Sequence, residues 1–381
     1  MSDGSTHPWS VTTGDLRRRM RRELDRDADG VVVTVADVDG AAYRRPGAKM
    51  LVGADGAPVG AVTAGCLEDP ITESSMDVLD AGAPRRRTFD LTADDDDTWG
   101  LGLGCNGVVD VLLEPLDGSW RAPLDELDTG TPVTVLTVVE STTAEVPVGA
   151  RSYVVDDGQP RGVADRDPVP TVVVDAADET VSAVHGREKA TTVDVEHERG
   201  TVSVLVEGLE PVPTLLVIGS QPDVHPVARV GSNAGFEVVV HSTRGARGPE
   251  DFPNAERVET GRPSAVTGTV GMPEYTYAVV MTHNLVDDRL AVEALLSETA
   301  VPYVGVMGPR ERFERLRAAG DTLTDEDLDR VATPVGLDLG GGEPAEIALS
   351  VVSEALAVRN GREGGRLKRR EGPIHTRLED E

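Results

Sequence analysis

Residues 214–220 read TLLVIGS, four consecutive apolar side chains running into a glycine and a serine. A short apolar run closed by a turn residue marks a strand buried on both faces. Outward from it the pattern alternates. Residues 225–234 space their apolar side chains as a helix does, and FEVVVHS (236–242) reads as a second strand. YTYAVVMTHN (275–284) and PYVGVMGP (302–309) supply a third and a fourth, with helices expected over 289–298, 310–319 and 345–359. Buried strands alternating with helices imply an α/β fold with a doubly wound parallel sheet, a Rossmann-like domain over 213–361.

Pro211-Val212-Pro213 marks where that domain begins. Before it, VTVLTVVE, SYVVDD, TVVVDAA and TVSVLVEG are separated by Pro, Gly and Asp clusters, so 119–212 reads as a β-rich connecting segment of small antiparallel strands. Residues 31–118 read as a compact α+β domain. VVVTVAD (31–37), KMLV (49–52) and APVGAVT (57–63) are strands, Phe89 lies near another, and GVVDVLLEP (107–115) is a buried one. Asp69-Pro70 is expected to open a helix, with Asp as N-cap, Pro at the first position, and Ile71, Met76 and Leu79 as its buried stripe. TADDDD (92–97) reads as an acidic loop. A helix-bearing tail occupies 1–30, with an amphipathic stretch around 16–24, and a charged, disordered tail is expected over 362–381.

The net charge is −30, from 67 acidic and 37 basic residues; only three of the latter, Lys49, Lys189 and Lys368, are lysines, and aromatics make up 3%. That balance suits a halophile's protein, because a Debye length of ~3 Å at 1 M salt screens the self-repulsion. It argues against nucleic-acid binding, since a polyanion would be repelled. Cys66 and Cys105 are the two cysteines, too few for a disulfide framework and too far apart for a CxxC metal spacing. The N-terminus lacks a signal-peptide pattern, and no apolar run nears the roughly 20 residues of a membrane span. A cytoplasmic protein is expected.

Four groups of residues could carry chemistry. The turn after the first Rossmann strand reads Gly219-Ser220-Gln221-Pro222-Asp223-Val224, which keeps the first glycine of a GxGxxG fingerprint and lacks the second. His241 and Arg244 occupy the corner after the second strand, where they could face the 2′-phosphate of NADP; the alternative is a scaffold without a dinucleotide. His283, in Thr282-His283-Asn284, follows a strand at the carboxyl edge where such sheets bind ligands, or is simply a hydrogen-bonded loop residue. YRRPGAKM (43–50) is a basic island, whose Arg44, Arg45 and Lys49 could hold an anion; the rival is an internal salt-bridge cluster answering Asp37, Asp39 and Glu68. Finally, Cys66 lies in AGCLE (64–68) after Gly65, and Cys105 in WGLGLGCNG (99–107) after Gly102 and Gly104. Glycine loops let backbone N–H groups converge on an anion and favour a thiolate, whereas free cysteines more often fill core gaps.

Taken in order, RRPGAKMLV, AGCLE and WGLGLGCNG resemble the N-terminal domain of the XdhC family, related to the accessory proteins of xanthine and carbon monoxide dehydrogenases. LLVIGSQPDVHPVARVGSNAGFEVVV, YVGVMGPRERFERL and TPVGLDLGGGEPAEIALSVVSEALAVRNGR resemble that family's Rossmann domain, so the likeness runs over residues 31–361. The resemblance implies a maturation chaperone that binds molybdenum cofactor, protects its sulfurated form and passes it to an apo molybdenum hydroxylase. It also implies a cysteine desulfurase as a second partner; a homodimer is plausible for an accessory protein of this size. The phosphate and pterin edge would suit Arg45, Lys49 and the amides around Gly65, Gly102 and Gly104, with Cys66 or Cys105 as a soft ligand beside the metal. The sequence departs from the family at Thr63-Ala64 (commonly Ser-Gly), at Ser220-Gln221 (commonly Ala-Gly) and at His241 (commonly Asp). The competing readings are an NAD(P)-dependent oxidoreductase built on the Rossmann domain and a redox sensor using the two cysteines.

Overall fold

The structure is a computed structural model that describes residues 8–91, 107–197, 200–245, 247–320 and 323–371. The chain divides into two compact units, Met1–Pro211 and Val212–Glu381.

The first unit opens with helix α1 (Thr13–Asp25), started by a capping box between Thr12 and Asp15. Next come β1 (Gly30–Gly40), β2 (Lys49–Gly53), β3 (Pro58–Gly60), α2 (Glu68–Ala81), β4 (Arg85–Asp90) and β5 (Gly107–Pro115). These strands form one antiparallel sheet in the order β3-β2-β1-β5-β4. A second antiparallel sheet follows, built from β6 (Val133–Ser141), β7 (Arg151–Val154), β8 (Arg161–Gly162), β9 (Ala190–His197) and β10 (Gly200–Leu209), in the order β8-β7-β6-β10-β9. The short helices α3 (Arg121–Asp128), α4 (Thr171–Ala176) and α5 (Asp178–Val184) complete this part of the chain. Ala36 and Leu112 of the first sheet pack with Val139 and Leu205 of the second. The opposite face of the first sheet takes Leu67, Ile71 and Val78 of the α2 region against Val33, Val35, Val111 and Leu113. The segment expected as a connector is therefore the second layer of this unit.

Three local expectations change. TVVVDAA is helical in α4, because burying Val173 and Val174 on one side outweighs the strand preference of a valine run. ATTVDVEH, not anticipated, is the edge strand β9. Helix α2 begins at Glu68, one residue before the expected N-cap, so Pro70 sits at the third position. Its buried face is Ile71, Ser74, Ser75 and Val78, while Met76 and Leu79 are half-buried. The serine hydroxyls donate to the carbonyls of Pro70 and Ile71 at 2.8 Å, which lets this small-residue face be buried.

The second unit holds β11 (Thr214–Ile218), α6 (Val224–Asn233), β12 (Glu237–Ser242), β13 (Arg257–Thr260), β14 (Thr276–Val280), α7 (Leu285–Glu298), β15 (Tyr303–Val306), α8 (Arg310–Ala318), α9 (Asp325–Leu328), β16 (Val331–Ala332) and α10 (Pro344–Arg359). All six strands are parallel, in the order β13-β12-β11-β14-β15-β16. Helices α6 and α10 cover one face and α7 and α8 the other. The order reverses between β11 and β14, the place where such sheets open a crevice. No helix among the described residues is long and apolar enough to cross a membrane.

Candidate functional site

Strand register in the first unit brings the sequence motifs to one edge. Thr34 of β1 pairs with Lys49, the first residue of β2, and Met50 pairs with Gly60, the last of β3. Gly40, at the end of β1, pairs with Gly107, the start of β5, and Asp90 of β4 pairs with Val108. Hence residues 41–48, residues 61–67 and both brackets of the segment 92–106 leave the sheet from the same end. Leu91 N–H donates to Gly107 O at 3.0 Å, joining those brackets. Gly102, Gly104 and Cys105 themselves lie outside the described residues, as does TADDDD.

The basic loop turns on Arg45-Pro46-Gly47-Ala48. Ala48 N–H donates to Arg45 O at 3.1 Å, and Gly47 takes φ +88°, as the third residue of a type II turn requires. Arg44 and Arg45 are exposed at this edge. Lys49 is not. Its ammonium pairs with Glu207 of β10 and lies 5.2 Å from the centre of the Trp120 ring. Burial pushes its pKa down, while Glu207 and Glu114 pull it back. The internal ion pair is therefore the reading that holds for Lys49, with Glu207 as partner instead of Asp37, Asp39 or Glu68.

The Cys66 loop is organised by a hydroxyl. Thr63 Oγ1 donates to the Glu68 carboxylate at 2.8 Å and accepts from the N–H groups of Gly65 and Leu67. Threonine at this position supplies the same hydroxyl that serine would. Gly65 takes φ +109°, and a Cβ there would meet nothing within 4 Å, so glycine serves backbone geometry and not packing. Cys66 is a free, half-buried thiol just ahead of α2, packed in the same apolar cluster as Ala42 and Ala48 at the flanks of the basic loop. Its N–H and that of Ala64 have no partner among the described residues. The edge thus offers two arginines, one thiol and amides unpaired among the described residues. Among the described residues no cluster of three His, Cys, Asp or Glu is arranged to hold a metal ion.

The crevice of the second unit is lined differently from a dinucleotide site. Gly219 is needed for close approach: a Cβ there would meet Met281 O and Val224 Cγ2 at 3.0 Å. Gln221 stands where the second fingerprint glycine would. Asp223, at the start of α6, accepts from His283 Nε2 at 2.6 Å. That carboxylate lies at the helix end where a pyrophosphate would dock. His283 adopts φ +59°, a conformation uncommon outside glycine, with its side chain 52% exposed. Arg244 is exposed, with its guanidinium 3.7 Å from Asp287 of α7 and its N–H donating to Ser220 Oγ. The Asp223–His283 pair is not legible in the sequence, because the partners are 60 residues apart.

His241 does not face this crevice. It is 2% exposed, with Nδ1 2.8 Å from Thr269 Oγ1 and Nε2 3.2 Å from Arg262 O. Burial holds its pKa below the ordinary 6.5. As pH falls through about 6.5, the unfolded chain binds a proton that the folded one refuses, so acid favours unfolding. The loss ends once pH passes below the folded value. His241→Gln should therefore flatten the decline in urea stability of the second unit as pH falls through about 6.5; an unchanged slope would rule this source out.

Comparison with known proteins covers both units. The XdhC and CoxI family model matches residues 24–90, and the XdhC Rossmann domain model matches residues 215–355. The chain is 27% identical to a probable xanthine dehydrogenase subunit of Bacillus subtilis (strain 168), over 91% of this chain and 98% of that protein. It is 27% identical to the uncharacterized protein YqeB of Escherichia coli (strain K12), over 44% of this chain and 31% of that one. A crystal structure of a xanthine dehydrogenase from Bacillus halodurans is similar at a TM-score of 0.71 and 27% identity, over 91% of this chain and 96% of that one.

Proposed function

The chain belongs to the XdhC family, and from that premise we propose that it is an accessory factor of a xanthine-dehydrogenase-type enzyme, binding molybdenum cofactor and delivering it to the apo-hydroxylase. The observation that carries this reading is the convergence of the basic loop, the Cys66 loop and the brackets of the Cys105 segment at one sheet edge. The residues present suit the group. Arg44 and Arg45 match its phosphate, the amides of Ala64 and Cys66 match polar or anionic edges, and the Cys66 thiol is a soft donor. Cys105, outside the described residues, belongs to the proposal as a second soft donor. When bound, the cofactor supplies the metal and the pterin; the chain's own task is to hold and shield them. A cysteine desulfurase and a second copy of the chain belong to the same proposal as partners.

The test is anaerobic purification in high salt from a molybdenum-replete host, with molybdenum and pterin quantified. The wild type should carry near-stoichiometric cofactor. Cys66→Ala with Cys105→Ala should lose it by about tenfold or more, as a lost ligand bond of ~1.4 kcal/mol or more demands. Equal retention in the double variant, or a nucleotide in place of pterin in the wild type, would overturn the reading.

A further inference from the structure

Tyr43 is out of place energetically. The chain has few aromatic residues, 3% of its composition. Among those described, Tyr43 is the one ring of a Phe, Trp or Tyr that stands exposed, at 59%. It is not a loose side chain. Trp9, in a short 3-10 turn at Pro8–Ser10 that contacts β3, lies over it with ring centres 5.8 Å apart and planes tilted by 34°. A second ring behind the first orders it and leaves apolar surface facing water.

The next two residues are Arg44 and Arg45, both exposed, and neither has an acidic partner among the described residues. In a chain with 67 acidic residues that is notable, because carboxylates are abundant. Tyr43 also follows Ala42, which packs in the same apolar cluster as Cys66. An exposed ring backed by a second ring, followed in the chain by two arginines without an acidic partner among the described residues, is the chemistry that recognises a flat ring bearing an anionic group. The ring stacks, and the planar donors fork onto phosphate oxygens.

We infer that Tyr43, backed by Trp9 and followed by Arg44 and Arg45, is the stacking shelf for a planar heteroaromatic ligand that carries a phosphate. The inference rests on the reading above, for which it names the surface that takes the pterin ring. It adds Arg44, beside Arg45, to the cations proposed for the phosphate, while Lys49 is paired with Glu207.

The experiment uses the full chain purified as above, in wild-type, Tyr43→Ala and Tyr43→Phe forms, with bound pterin measured as its fluorescent oxidation product. Urea midpoints are recorded alongside. Wild type and Tyr43→Phe should retain pterin alike, and Tyr43→Ala should fall by about tenfold, at an unchanged urea midpoint. If the wild type is loaded and Tyr43→Ala retains as much, the shelf is wrong and the cofactor reading stands. If Tyr43→Ala loses pterin only together with its urea midpoint, or Tyr43→Phe loses it equally, the ring acts through folding or its hydroxyl and the shelf is again wrong. A wild type without pterin removes the cofactor reading and the shelf with it.

Discussion

Arg151→Met should lower the unfolding free energy of the first unit by about 3–5 kcal/mol. Arg151 and Glu114 are each 1% exposed, and one guanidinium nitrogen lies 2.5 Å from the carboxylate. The remaining donors reach Thr137 Oγ1 at 3.1 Å and Ser119 Oγ at 2.7 Å. The guanidinium also stands 4.2 Å from the centre of the Trp120 ring, to which Lys49 contributes a second cation. Methionine fills the volume and deletes the charge. Glu114 would then be a buried carboxylate without its partner, which is far costlier than lacking the pair altogether. Urea unfolding followed by tryptophan fluorescence measures the loss. Adding Glu114→Leu should recover most of it. A single variant within about 1 kcal/mol of wild type would show that the cluster is more solvated than its burial indicates.

Gly107→Ala should damage the proposed binding edge and the fold together. A Cβ at Gly107 would meet Ala41 O at 2.6 Å, Asp39 O at 2.8 Å and Ala41 N at 3.0 Å. These are backbone atoms of the end of β1 and the start of the basic loop, so no side-chain rotation relieves the clash. Overpacking of this kind costs about 1–3 kcal/mol. The strands would separate where the basic loop and the Cys105 segment emerge. On the proposed function, cofactor retention should fall about as far as in the double cysteine variant, while the second unit unfolds as before. Full retention in a stable Gly107→Ala protein would disconnect this edge from binding.

The parallel sheet is readable from sequence because strands buried on both faces are continuous apolar runs, as TLLVI and TYAVV are. The fate of 171–177 is not, because three consecutive valines satisfy a strand pattern. Only the continuation through Ala177, Val181 and Val184, all buried, reveals helical spacing. Lys49 stands out by its rarity, but its partner Glu207 lies 158 residues away on another sheet. Rarity says that a residue is kept, not what keeps it. His241 shows the same limit: a histidine near the end of a strand can turn outward to a ligand or inward to Thr269 and Arg262, and only tertiary packing decides. The convergence at one edge depends on the strand order β3-β2-β1-β5-β4, which motif spacing does not encode.

The single hydrogen bond between Leu91 and Gly107 separates inheritance of the scaffold from inheritance of what it carries. With both stems fixed by the β4–β5 ladder, doubling the length of the intervening segment adds only about 0.6 kcal/mol of closure entropy. By closure entropy alone, a longer segment between these stems costs the sheet little. Relatives can therefore differ in length there without rebuilding the sheet.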